Sequence, residues 1–130
     1  MTYFKWDSDL DVGVEKLNDQ HKELIARMEL VYEADQTGVK DDVISAVQHL
    51  MESVIIHFKD EEEYLASINY PTLDAHKKIH KNLITDMGTF ADTFVNGSKN
   101  TLGDEFMAFL NMWVTTHIMA IDTKYHPDGQ

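Results

Sequence analysis

Four stretches of this chain repeat apolar residues at three- and four-residue spacing, and each sets an ionisable residue in the middle of its apolar stripe. That spacing belongs to amphipathic helices, so the sequence predicts an all-α fold. Asn18 or Asp19 offers an N-cap for a first helix over about 18–36, with Leu17, His21, Leu24, Met28 and Val31 or Tyr32 facing inward. Thr37-Gly38 breaks it, and Asp41 or Asp42 can cap a second helix over 41–67, striped by Val43, Val47, Leu50, Val54, His57, Glu61 and Tyr64. Pro71 suits the opening turn of a third, over 71–96, with Leu73, His76, His80, Leu83, Met87, Phe90 and Phe94 on one face. A fourth, over 104–122, carries Phe106, Leu110, Trp113, His117 and Ile121. Short connections make consecutive helices antiparallel, which gives an up-down-up-down four-helix bundle. Residues 1–17 mix Trp6, Leu10, Val12 and Val14 with acidic residues and Gly13, and read as an extended N-terminal arm laid over it. At 130 residues, this is a single domain, 1–130.

The ionisable residues on the stripes are His21, His57, Glu61, His76, His80 and His117, followed by Asp122 near the end of the last helix. Buried without partners, each would cost about 1–3 kcal/mol, more if charged, in a domain stable by only about 5–15 kcal/mol. A metal resolves the conflict, because it takes neutral imidazoles and ionised carboxylates together. His57 and Glu61, and likewise His76 and His80, are i, i+4 pairs that project from one side of adjacent turns. Asp122, five residues after His117, would point roughly 140° away from it on a regular α-helix. A wide π-type turn or a loosened helix is therefore predicted between them. His49, about 80° off the His57 stripe, and His126, beside Pro127, read as surface residues.

Seven donors exceed what one zinc ion uses and suit two metals. With no cysteine in the chain, thiolate-bound zinc and iron–sulfur clusters are excluded, and every donor is nitrogen or oxygen. The His76 pair lacks the adjacent glutamate of a zinc-protease helix. Imidazole and carboxylate together leave iron, manganese, copper and zinc open.

A net charge of −12 repels phosphate backbones and anionic membranes, so no nucleic acid partner is expected. Lys5, Asp7 and Asp9 interrupt the start of the chain, which rules out the apolar core of a secretory signal, and no stretch is long and apolar enough to span a membrane. Together with the missing cysteines, this points to a cytoplasmic protein without membrane insertion.

With these residues in view, the sequence resembles the hemerythrin family, in particular its single-domain bacterial members. Trp6-Asp7 and Val12-Gly13-Val14 in the arm, Asn18-Asp19-Gln20-His21, His57 with Glu61, Tyr70-Pro71 before His76 and His80, and His117 with Asp122 carry the resemblance over nearly the whole chain. It implies two iron ions with an oxo or hydroxo bridge. His76, His80 and His117 would bind one iron, His21 and His57 the other, and Glu61 and Asp122 would bridge both. Family members bind dioxygen at the iron with two histidines and reduce it to a hydroperoxide as both irons pass from ferrous to ferric. Five imidazoles with two carboxylates also favour the ferrous state over the anion-rich sets of di-iron oxidation enzymes.

The function implied is reversible dioxygen binding for storage, delivery or scavenging, by a monomer that could serve an oxygen-consuming protein. Alternatives are an oxygen- or redox-sensing module, or a di-iron peroxidase or nitric oxide reductase. The pocket should be apolar, drawn from Leu24, Met28, Leu83, Trp113, Val114 and Ile118. Tyr64, Tyr125 and Thr116 are the nearest further acid–base groups, and each reads as structural.

Overall fold

The computed structural model describes residues 6, 10, 12–113 and 117, which form helices α1 (Glu15–Thr37), α2 (Lys40–Ser67), α3 (Leu73–Asn96) and α4 (Asp104–Met112), with no strand among the described residues. The helices alternate in direction. The start of α1, the end of α2 and the start of α3 meet around Glu61, where His21, His57 and His76 contact its carboxylate. At the opposite end Lys40 Nζ, at the start of α2, donates to the Gly97 carbonyl just past α3 (2.6 Å), and Asp35, near the end of α1, meets Gly103 just before α4. The fold is the all-α four-helix bundle predicted from the stripes.

Helix starts differ from the capping expectations. α1 begins at Glu15 rather than at Asn18 or Asp19, with Val14 extended as its N-cap. The Asn18 side chain serves the arm instead: its Oδ1 accepts the Val12 N–H (2.9 Å). α2 begins at Lys40, so Asp41 and Asp42 lie inside its first turn, where they favour the positive end of the helix dipole without capping it. Pro71 sits in the turn before α3, two residues ahead of Leu73. The break after α1 is as read: Gly38 closes it in the left-handed region (φ 71°), where a β-carbon would be strained, and donates to the Asp35 carbonyl.

Beyond Met112 the backbone widens. Trp113 and His117 are π-helical, while the segment between His117 and Asp122, where the loosened turn is expected, lies outside the described residues. Val114, Thr116, Ile118, Ile121, Asp122, Tyr125 and His126 lie outside the described residues.

One apolar core runs through the bundle, with Leu24, Met28, Leu50, Phe58, Met87, Phe106, Leu110 and Trp113 almost wholly buried. Leu10 of the arm belongs to it. A smaller cluster of Val12, Leu17 and Leu65, flanked by Tyr64, Tyr70 and Leu73, joins the arm to the end of α2 and the start of α3. None of the described helices is long and apolar enough to cross a membrane.

The start of α4 has no side-chain cap, and a neighbouring helix instead anchors the residues that lead into it. The buried Asp35 carboxylate accepts the Leu102 N–H through Oδ1 (2.6 Å) and the Gly103 N–H through Oδ2 (3.4 Å). Replacing Asp35 by Ala leaves these amides without an acceptor and should cost about 1–3 kcal/mol in urea denaturation. Amide exchange should speed up first at Leu102 and Gly103, and unchanged exchange there would refute the clamp.

Candidate metal centre

Glu61 is the centre of the site. The i, i+4 spacing turns it and His57 toward the same side of α2, and α1 and α3 bring their own imidazoles against the same carboxylate. Oε2 lies 3.1 Å from His57 Nε2 and 3.4 Å from His21 Nε2. Oε1 lies 2.7 Å from His76 Nε2 and 3.0 Å from His80 Nε2. All five side chains are buried, Glu61 at 0% exposure. His117 completes the ring, its imidazole centroid 5.0 Å from that of His80 and 5.4 Å from that of His76.

These residues fall into two groups that share Glu61. Ligand atoms of Glu61, His76, His80 and His117 lie within 4.8 Å of one another, as do those of His21, His57 and Glu61. The structure thus brings together six of the seven residues singled out in the sequence, and the seventh, Asp122, lies outside the described residues.

Electrostatics favour an anionic Glu61. Burial pushes its carboxyl up, but the surrounding imidazoles of His21, His57, His76 and His80 outweigh burial and hold it well below the usual carboxylate range. A buried carboxylate with four imidazole nitrogens within 3.4 Å, two on each oxygen, is a donor set crowded around one point. It fits cations that accept nitrogen and oxygen donors, and the division into two groups fits two of them.

Of the residues that shape the site, Trp113 lies on a predicted stripe, whereas Phe58, Gln20 and Glu62 do not. The Phe58 ring stacks on His80 at 3.7 Å and 3° between planes, and Trp113 lies nearly parallel to His117 at 5.6 Å and 18°. Gln20 Oε1 meets His57 Nδ1 (2.8 Å), and Glu62 Oε2 meets His80 Nδ1 (3.0 Å). Gln20, Phe58 and Glu62 each sit one position from a predicted ligand, and Gln20 also falls within the Asn18-Asp19-Gln20-His21 motif. Of the predicted pocket lining, Leu24, Met28, Leu83 and Trp113 are buried in the core beside the cluster. His49 is exposed, at the mouth of a cleft of about 250 Å³ between α1 and α2 that reaches down to Leu24 and His57. A cleft of about 610 Å³ lies at the other end of the bundle against Phe90, Phe94 and Phe109, away from every one of these donors.

Comparison with known proteins agrees with this arrangement. Residues 12–128 match the Hemerythrin family, described as the hemerythrin HHE cation binding domain. A hemerythrin-like protein of Naegleria gruberi is 34% identical over 122 residues, covering 94% of this chain and 90% of that protein. A bacteriohemerythrin of Pseudomonas paraeruginosa is 28% identical over 125 residues, covering 96% and 80%. In fold, the chain superposes on a crystal structure of wild-type hemerythrin with a TM-score of 0.88 at 23% identity, covering 98% of each.

A cation held by the folded cluster alone must stabilise the fold. Ferrous iron added anaerobically to chelator-treated protein should raise the melting temperature, by the equivalent of about 2.7 kcal/mol at a hundred times the dissociation constant. Magnesium, which prefers oxygen donors and keeps its water, should do far less. Equal responses to both in paired thermal melts would sink a nitrogen-rich site.

Proposed function

The chain belongs to the hemerythrin family, and from that premise we propose that it binds dioxygen reversibly at a pair of non-haem iron ions, for storage, delivery or scavenging of oxygen. The observation that carries the reading is the pair of donor groups joined through Glu61. In this reading His76, His80 and His117 hold one iron, His21 and His57 the other, and Glu61 bridges them together with Asp122. The iron pair would supply the two electrons that bound dioxygen takes up and returns.

The protein's own residues would then do three things. Glu61, kept anionic by its imidazole neighbours, offsets the charge of two cations while touching both groups. The unequal histidine count leaves the His21/His57 side with an open position, and the cleft that reaches His57 leads to that side. Leu24, Met28, Leu83, Phe58 and Trp113, all buried, restrict water and protons around the cluster, which favours release of oxygen over its further reduction. This reading treats the chain as a binder rather than an enzyme, acting in the cytoplasm.

Two measurements test it. Anaerobically reduced, iron-loaded protein exposed to oxygen should gain a ligand-to-iron charge-transfer band that fades on deoxygenation and returns on the next cycle. A band that decays once and never returns, with iron oxidised, means an enzyme or an autoxidising site instead. Replacing His117 by Ala should lower bound iron, measured by metal analysis, and melting temperature together, because the remaining donors keep their burial and lose the cation. Unchanged iron content would remove His117 from the ligand set.

A further inference from the structure

The two donor groups differ in what stands behind their imidazoles. His57 Nδ1 lies 2.8 Å from Gln20 Oε1, and Gln20 Nε2 donates to Asp60 Oδ2 at 2.7 Å. An ionised carboxylate only accepts, so Asp60 dictates which end of the Gln20 amide is the nitrogen. The other end is then an oxygen, which also only accepts, and the proton it takes must sit on His57 Nδ1. The Nε2 lone pair of a neutral His57 therefore faces Glu61 Oε2, 3.1 Å away.

His80 repeats the logic with one step fewer. Its Nδ1 lies 3.0 Å from Glu62 Oε2, so it donates there, and its Nε2 faces Glu61 Oε1 at 3.0 Å. In both rings, once neutral as a metal ligand must be, a nitrogen lone pair points at a carboxylate oxygen inside the bundle. Such an arrangement is repulsive until a cation lies between the two.

We propose that Gln20, locked by Asp60, and Glu62 are positioning residues that fix His57 and His80 as Nδ1–H tautomers and thereby preset both halves of the cluster to receive a cation, unequally. A carboxylate behind His80 withdraws more of the Nδ1 proton than an amide does behind His57, so His80 is the stronger donor at Nε2. The His80 half then holds its metal more tightly, and the His57 half releases first. Lys16, 3.6 Å from Asp60 Oδ2, draws part of that carboxylate's charge toward solvent and keeps the amide side the weaker one. The unequal release rests on the reading that the cluster binds metal, whereas the tautomers do not.

The test therefore begins without metal. In chelator-treated protein labelled with ¹⁵N-histidine, at a pH high enough to make the imidazoles neutral, His57 and His80 should both show the Nδ1–H tautomer. Gln20→Leu should redistribute the tautomers of His57 alone, and Glu62→Leu those of His80 alone. In iron-loaded protein challenged with a chelator under anaerobic conditions, release should be biphasic. Q20L should accelerate the fast phase by about 10–100-fold and leave the slow one. The double substitution Q20E/D60N, which exchanges amide and carboxylate and restores the chain of hydrogen bonds, should return the Nδ1–H tautomer and slow the fast phase below its wild-type rate. Unchanged His57 tautomers in Q20L, or a double variant that restores neither tautomer nor release, overturns the proposal. Wild-type protein that shows the stated tautomers and takes up no iron overturns the metal reading and leaves the tautomer assignment standing.

Discussion

Everything at one end of this bundle is organised around a single buried anion. Glu61 is fully removed from water, yet it keeps its charge because imidazoles from three helices reach it. Moving a carboxylate into a protein interior costs several kcal/mol even after relaxation. A cation placed between those nitrogens and oxygens would make the arrangement more favourable still. The helices are therefore fixed relative to each other by chemistry as well as by packing: α1, α2 and α3 converge because His21, His57, His76 and His80 must all reach two oxygen atoms.

The surroundings make that anion useful. Phe58 and Trp113 lie flat against His80 and His117, so the imidazoles are clamped on their faces while their edges stay directed inward. The Val12, Leu17 and Leu65 cluster lets the arm close the bundle over the end of α2, and the bond from the Val12 N–H to Asn18 ties the arm to α1. An apolar enclosure around a polar centre strengthens every electrostatic contact inside it. It also explains why the residue that could have capped α1 does not: Asn18 is more valuable as the anchor of that closure.

How much of this could be read from residues alone follows from what periodicity encodes. The stripes located His21, His57, Glu61, His76, His80 and His117, because a titratable group at an apolar position is conspicuous and helical spacing says which groups share a face. They did not reveal Phe58, Gln20 or Glu62, because a neighbour of a stripe residue lies about 100° around the helix and its burial depends on the tilt of the adjacent helix. Helix ends were the weakest element. The expected caps at Asn18 and at Asp41 or Asp42 rested on side-chain preference, and in the fold those side chains serve the arm or the dipole instead. Asp35 shows the converse. It anchors, from across the bundle, the residues that lead into α4, with a separation of 67 residues that no local motif records. The angular misfit between His117 and Asp122 falls on residues outside those described, and the π-helical backbone at Trp113 and His117 lies ahead of it.

The two ends of the bundle are stabilised by different means, and that separation bears on how the protein responds to metal. At the end away from Glu61 the helices are held by ordinary contacts: Phe90 against Phe106 and Phe109, Asp35 on the start of α4, and Lys40 on the Gly97 carbonyl. None of these requires a cation. At the Glu61 end the imidazoles and the carboxylate replace much of the apolar contact that would otherwise join the helices there. Cooperative units in proteins open separately when their stabilising contacts are separable. The apolar end can thus keep the four helices aligned on its own, and a cation bound at the Glu61 end would add order there and could leave without dismantling the rest of the fold.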